Sequence, residues 1–151
     1  MIKFKKILFP VDLSDVSPKI VPWVIAVAER LDSEIHLLFV VRKLVHLANI
    51  DVAQVSIENF QAEIVGRSEA EIERFANMYF SKHKVSKISV VLGDPAEEIL
   101  NYGKSEEIDL IIIGTHGRKG LEKILFGSVA ERVIKMSPTP VMSINPYRVQ
   151  G

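Results

Sequence analysis

The sequence predicts a single α/β domain built on a doubly wound, five-stranded parallel sheet of order 3-2-1-4-5, with helices on both faces. Three observations predict it. Apolar runs of strand length alternate with longer stretches of helical period, the pattern of parallel strands joined by crossover helices. The runs at Lys6–Phe9, Ile35–Val41 and Leu110–Ile113 are nearly all apolar, as strands covered on both faces must be. At 151 residues the chain is long enough for one well-formed core and short for two, so residues 1–151 are read as one domain.

The first strand is Lys6–Phe9. Ser17 followed by Pro18 then supplies an N-cap and a first helical position, and Ile20, Val24, Val27 and Leu31 fall on one face, with Trp23 on the buried side. Pro22 disturbs the first turn. After the second strand, Ile35–Val41, the segment Arg42–Val55 has neither period nor turn signals and reads as a surface loop. Ile57, Phe60, Ile64, Ile72, Phe75 and Tyr79 keep a spacing of three and four across 57–80, a long helix in which Gly66 costs about 1 kcal/mol relative to alanine. Ile88–Leu92 is the third strand. Asp94-Pro95 opens a helix over Ala96–Tyr102, with Glu97 and Glu98 in the first turn and Gly103 ending it. Leu110–Ile113 is the fourth strand. Ser128-Val129-Ala130-Glu131 has the form of a capping box, and the helix it starts stops before Pro138 and Pro140, leaving Val141–Ile144 as the fifth strand.

Composition removes several function classes. Nineteen Lys plus Arg balance nineteen Asp plus Glu, so the global field that draws a basic protein to nucleic acid or an anionic membrane is missing and any anion must be caught locally. The absence of cysteine excludes disulfides, zinc thiolates, thiol nucleophiles and iron–sulfur clusters. The basic opening Met1–Lys6 leads into an apolar run too short for a secretory signal, and no stretch approaches a membrane span, so a cytoplasmic location is expected by elimination.

In a sheet of this order, ligands bind where the strand order reverses, outside the carboxyl ends of strands one and four. Pro10, Val11 and Asp12 close strand one; Ile113 closes strand four, followed by Gly114-Thr115-His116-Gly117-Arg118-Lys119-Gly120 and, at the next helix, Gly127-Ser128. Glycines at 114, 117, 120 and 127 permit positive φ and remove side chains, so backbone N–H groups can approach an anion. The helix beginning at Ser128 adds free amides and its positive dipole end. Arg118, Lys119, Lys123 and a protonated His116 supply charge that the chain as a whole lacks. A polyphosphate is the ligand that such donors suit.

Gly114, two residues, Gly117, nine residues, then Gly127-Ser128 resembles the ATP-binding signature of the nucleotide-binding branch of the universal stress proteins. The likeness extends to Lys6–Asp12, Gly93-Asp94-Pro95, Asp109–Gly114 and Ser137–Val141, and so spans the chain. It implies an adenine nucleotide alpha hydrolase-like fold and a regulatory module of the stress response that binds ATP, AMP or ADP, with Mg²⁺ as an optional companion of ATP. By the same resemblance Asp12 holds the ribose or adenine side and Val40 touches adenine, while Gly114, Gly117, Gly127, Ser128 and Val129 hold ribose and phosphates. The family often has His before the valine of strand two; here it is Phe39. A homodimer through Val141–Ile144 is expected on two counts: that run is an apolar edge without a charged gatekeeper, and the resemblance points to the same strand.

Other signatures fail. Gly103-Lys104-Ser105 lacks the earlier glycine of a phosphate-binding Walker loop, no Gly-x-Gly-x-x-Gly follows strand one, and the acidic set of a receiver domain is incomplete. The histidines at 36, 46, 83 and 116 form no pair on one helix face, and no Ser-His-Asp or paired-carboxylate set assembles at the crevice. Dedicated catalysis is therefore not expected. Slow Mg²⁺-dependent ATP hydrolysis assisted by His116 or Asp12, and a ligand-free interaction dimer, remain the alternatives.

Overall fold

The computed structural model describes residues 1–43, 54–117 and 127–150. Strands β1 (Lys6–Pro10), β2 (Glu34–Arg42), β3 (Val85–Gly93), β4 (Leu110–Gly114) and β5 (Val141–Ile144) form one parallel sheet of order β3-β2-β1-β4-β5. Helices α1 (Ser17–Leu31), α2 (Gln54–Phe80), α3 (Pro95–Ser105) and α4 (Ser128–Met136) connect them. Central β1 pairs with both neighbours, Ile7 opposite Ile35 on one side and Leu110 on the other.

Right-handed crossovers place the helices made before the order reverses on one face and those made after it on the other. The core divides accordingly. Ile7, Phe9, Ile35, Leu37 and Ile112 pack with Val24 and Ala28 of α1 and Ile72, Phe75 and Phe80 of α2. Alternate residues Leu8, Leu38, Ile111 and Ile113 pack with Ile99 and Tyr102 of α3 and Val133 of α4. This alternation explains the unbroken apolar runs of β1, β2 and β4, because both faces of those strands are dry. Phe9 anchors the first core, its ring centroid 6.5 Å from that of Phe75 and 6.3 Å from that of Phe80.

The element boundaries show where local signals gave way to tertiary ones. Val16, with helical backbone angles and no side-chain cap bond, precedes α1, so Ser17 is not the N-cap; its hydroxyl is engaged by Asp12. The buried stripe of α1 runs through Ile20, Val21, Val24 and Ala28, whereas Leu31 is 39% exposed where the chain reverses into β2. α2 starts at Gln54 and continues through Gly66, but Phe60 is exposed. A helix of that length measures about 40 Å against about 30 Å for a nine-residue strand, so its early turns overshoot the sheet. Edge strand β3 begins at Val85, earlier than its apolar run, since an edge tolerates Ser86 and Lys87.

Gly103 does not end α3. It is buried within the helix, where an added Cβ would make only ordinary contact with Ile111 Cδ1 at 3.7 Å. The capping box expected at Ser128 is absent: Gly127 is the N-cap with no side-chain cap bond, and Glu131 pairs forward with Lys135. Most of the loop expected at 42–55 lies outside the described residues.

At the amino ends of β2 and β3, a polar cluster sits against α3. His36 is buried, its Nδ1 3.0 Å from the Tyr102 hydroxyl and its Nε2 3.4 Å from Glu34 Oε1, while Lys87 donates to Glu106 Oε1 at 2.7 Å. Burial pushes the Tyr102 hydroxyl above its ordinary value.

Asp94 caps α3, accepting the Glu97 N–H at 3.0 Å and a bond from Arg132 at 2.8 Å. The amide first, and the guanidinium after it, hold its carboxyl below the usual carboxylate range. Its stabilisation is therefore complete above the unfolded value near pH 4 and is lost as pH falls through the lower folded value. Asp94→Ala should cost about 0.5–2 kcal/mol in urea denaturation at pH 7, and the gap to the wild type should narrow as the solution is acidified below about pH 4.

Candidate functional site

Where β1 and β4 end, their continuations turn toward each other. After β1, Asp12 Oδ1 accepts the Ser14 N–H at 3.0 Å, the Ser14 hydroxyl at 2.7 Å and the Ser17 hydroxyl at 2.7 Å. One carboxylate oxygen thus shapes the whole approach to α1. The turn requires Leu13 in the left-handed region at φ 59°, a strained backbone for a non-glycine residue and of a kind that clusters at functional sites.

After β4, Thr115 is the hub. Its N–H donates to the Ile144 carbonyl at 2.9 Å, its carbonyl accepts the Gly127 N–H at 2.6 Å, and its Oγ1 lies 2.8 Å from His116 Nδ1. The Gly127 bond ties the start of α4 to the end of β4. The glycines act through size rather than handedness, since no described glycine has a positive φ. A Cβ on Gly117 would lie 2.7 Å from Asp12 Oδ2, and one on Gly127 would lie 3.2 Å from the Thr115 carbonyl oxygen. The expectation of positive φ is corrected for Gly114, Gly117 and Gly127, and the Gly127 amide is already committed within the protein.

The result is a crevice of about 840 Å³ at the carboxyl end of the sheet. Pro10, Val11, Asp12, Val40, Ile113, Gly114, His116, Gly117, Gly127, Ser128 and Val129 all line it. Arg118, like Lys119, Gly120 and Lys123, lies outside the described residues. The first amides of a helix have no partner within it, so α4 turns donors into the crevice at Ser128, Val129 and Ala130. The Ser128 side chain is exposed and caps nothing. His116 is 7% exposed, and its ring meets the Tyr147 ring edge-on with centroids 5.2 Å apart.

Sequence reasoning missed part of the lining. Ile64, Arg67, Ser68 and Glu71 form one stripe of α2 facing the crevice, and Phe39, Arg42, Pro95 and Ile99 complete its walls. The α2 stripe has helical spacing, but its mixture of apolar, polar and charged types gives no periodic hydrophobic signal. Among the described residues no group of three His, Asp or Glu is arranged to hold a metal.

The model of the universal stress protein family matches residues 3–145. The chain belongs to the universal stress protein family. A universal stress protein of Methanocaldococcus jannaschii is 34% identical over 143 residues, covering 93% of this chain and 82% of its own length. A second from that organism, MJ0577, is 32% identical over 155 residues, covering 95% and 96%. The solved structure of MJ0577 aligns with a TM-score of 0.81 at 30% identity, covering 98% of this chain and 99% of that one. The universal stress protein YxiE of Bacillus subtilis is 31% identical over 148 residues, covering 93% and 99%.

Because Asp12 Oδ1 gathers three donors, Asp12→Ala should destabilise this universal stress protein by about 1–3 kcal/mol in denaturant titration, the range for groups that lose a charged acceptor.

Proposed function

We propose that this universal stress protein binds an adenine nucleotide, ATP before AMP or ADP, as a regulatory module of the stress response without dedicated catalysis. The supporting observation is the contact between the two loops: Gly117 lies against Asp12, so the strand ends that would hold base and ribose share one crevice with the start of α4. Pro10, Val11, Asp12 and Val40 would wall the adenine and ribose. Ile113, Gly114, His116 and Gly117, with Gly127, Ser128 and Val129, would line the ribose–phosphate side; Arg118 would add charge there.

The Ser128 hydroxyl and the first α4 amides are the donors suited to phosphate oxygens, and any Mg²⁺ would arrive with the phosphates of ATP. A universal stress protein solved with cAMP and one from Archaeoglobus fulgidus solved with dAMP share this fold at 18% and 16% identity. Both ligands are adenine nucleotides. That no helix among the described residues is long and apolar enough to cross a membrane fits the proposed cytoplasmic setting.

Calorimetry with ATP, AMP and GTP should show binding of an adenine nucleotide, and no heat with any of the three would reject the reading. Gly117→Ala and Gly127→Ala should each weaken ATP about tenfold or more while the fold persists, equivalent to about 1.4 kcal/mol. Turnover should stay below about 1 per second, the lower end of ordinary enzyme rates.

We further propose a homodimer through β5, an edge strand on which Val141 and Met142 are only half-buried and Ser143 is exposed. Sedimentation at micromolar concentration should give twice the chain mass; a monomer throughout would reject the dimer.

A further inference from the structure

The chain does not stop at β5. Asn145 turns it back: Asn145 Oδ1 accepts the Tyr147 N–H at 3.0 Å, and the Asn145 carbonyl accepts the Arg148 and Val149 N–H groups, each at 3.2 Å. Pro146 is buried and Val149 packs on the α1/α2 core, so this short tail is docked rather than trailing. Its docking brings the Tyr147 ring against His116, which lines the crevice. The two rings meet edge-on at an interplanar angle of 83° with centroids 5.2 Å apart. Another contact is Lys19 of α1, whose Nζ stands 5.1 Å from the ring centroid.

His116 in turn lies within hydrogen-bond distance of the Thr115 hydroxyl, and Thr115 is the residue that ties β4, β5 and the start of α4 together. We infer that Tyr147 is a positioning residue for the nucleotide site, acting through His116 and Thr115 on the placement of Gly117 and Gly127. This rests on the nucleotide reading above. The physical ground is that an edge-on pair of rings attracts beyond the area it buries, so the Tyr147 ring restrains the imidazole it meets. A site where an added Cβ would meet Asp12 Oδ2 at 2.7 Å on Gly117 and the Thr115 carbonyl oxygen at 3.2 Å on Gly127 has little tolerance for drift. Tyr147 touches no ligand in this scheme, and its effect is on where the crevice lining at His116 sits.

The test compares the full-length wild type with Tyr147→Ala, Tyr147→Phe and Val149→Ala. Hydrogen exchange without nucleotide should show faster exchange at the Thr115 and Gly127 amides in Tyr147→Ala than in Val149→Ala, which trims one apolar contact of the same tail but keeps the Asn145 bonds and the Tyr147 ring. Calorimetry with ATP should show about a tenfold loss of affinity in Tyr147→Ala, most of the affinity kept in Tyr147→Phe because the ring remains, and no loss in Val149→Ala beyond about twofold. Unchanged exchange at Thr115 and Gly127 in Tyr147→Ala would overturn the inference whether or not nucleotide binds. So would a wild type that binds ATP beside a Tyr147→Ala variant that binds it equally well, or a Val149→Ala variant that loses as much affinity as Tyr147→Ala. A wild type that binds no nucleotide, with the exchange difference present, would leave the tail's hold on His116 and Thr115 standing and defeat the nucleotide reading alone.

Discussion

Everything in this molecule follows from β1 being hydrogen-bonded on both sides and dry on both faces. A central parallel strand must send its chain out to one neighbour and receive it back on the other side, which forces the direction of winding to reverse beside it. The reversal separates α1 and α2 from α3 and α4, and leaves the carboxyl ends of β1 and β4 without a helix lying across them. The crevice is therefore a topological product, with the buried side chains of Phe9 and Ile113 among its lining.

What the topology opens, a few polar bonds then shape. Asp12 folds its own loop by drawing in Ser14 and Ser17, and Thr115 closes the facing loop by receiving the Gly127 amide. Both arrangements use groups that would otherwise be costly to bury, and both leave the helix starts pointing inward. Leu13 shows that the geometry is held at some expense, since its left-handed backbone persists only because the bonds around it outweigh the strain.

The strands were legible because burial on two faces leaves an unmistakable apolar run, and α3 because Asp94, Pro95 and two glutamates mark its start within a few residues. The serine caps were not. Ser17 and Ser128 have the local form of N-caps, yet Ser17 turns to an aspartate in the preceding loop and Ser128 to the open crevice. Gly103 shows the same limit: a glycine near a helix end suggests termination, yet α3 continues through it to Ser105. For the site, the glycine spacing pointed to the right loop, but the close approach of Gly117 to Asp12 joins residues far apart in sequence and leaves no mark in either segment alone. The α2 contribution was hidden because a crevice wall needs no uniform polarity.

The buried imidazole of His36 and its companions Tyr102, Glu34, Lys87 and Glu106 stand at the far end of the same strands. Between them and the crevice runs the dry middle of the sheet, and substitutions separated by such a distance act nearly independently. The scaffold thus has a lower rim where tolerance to acid or heat can be adjusted and an upper rim where recognition resides. A lineage could retune the first for a new habitat and pass the second on untouched.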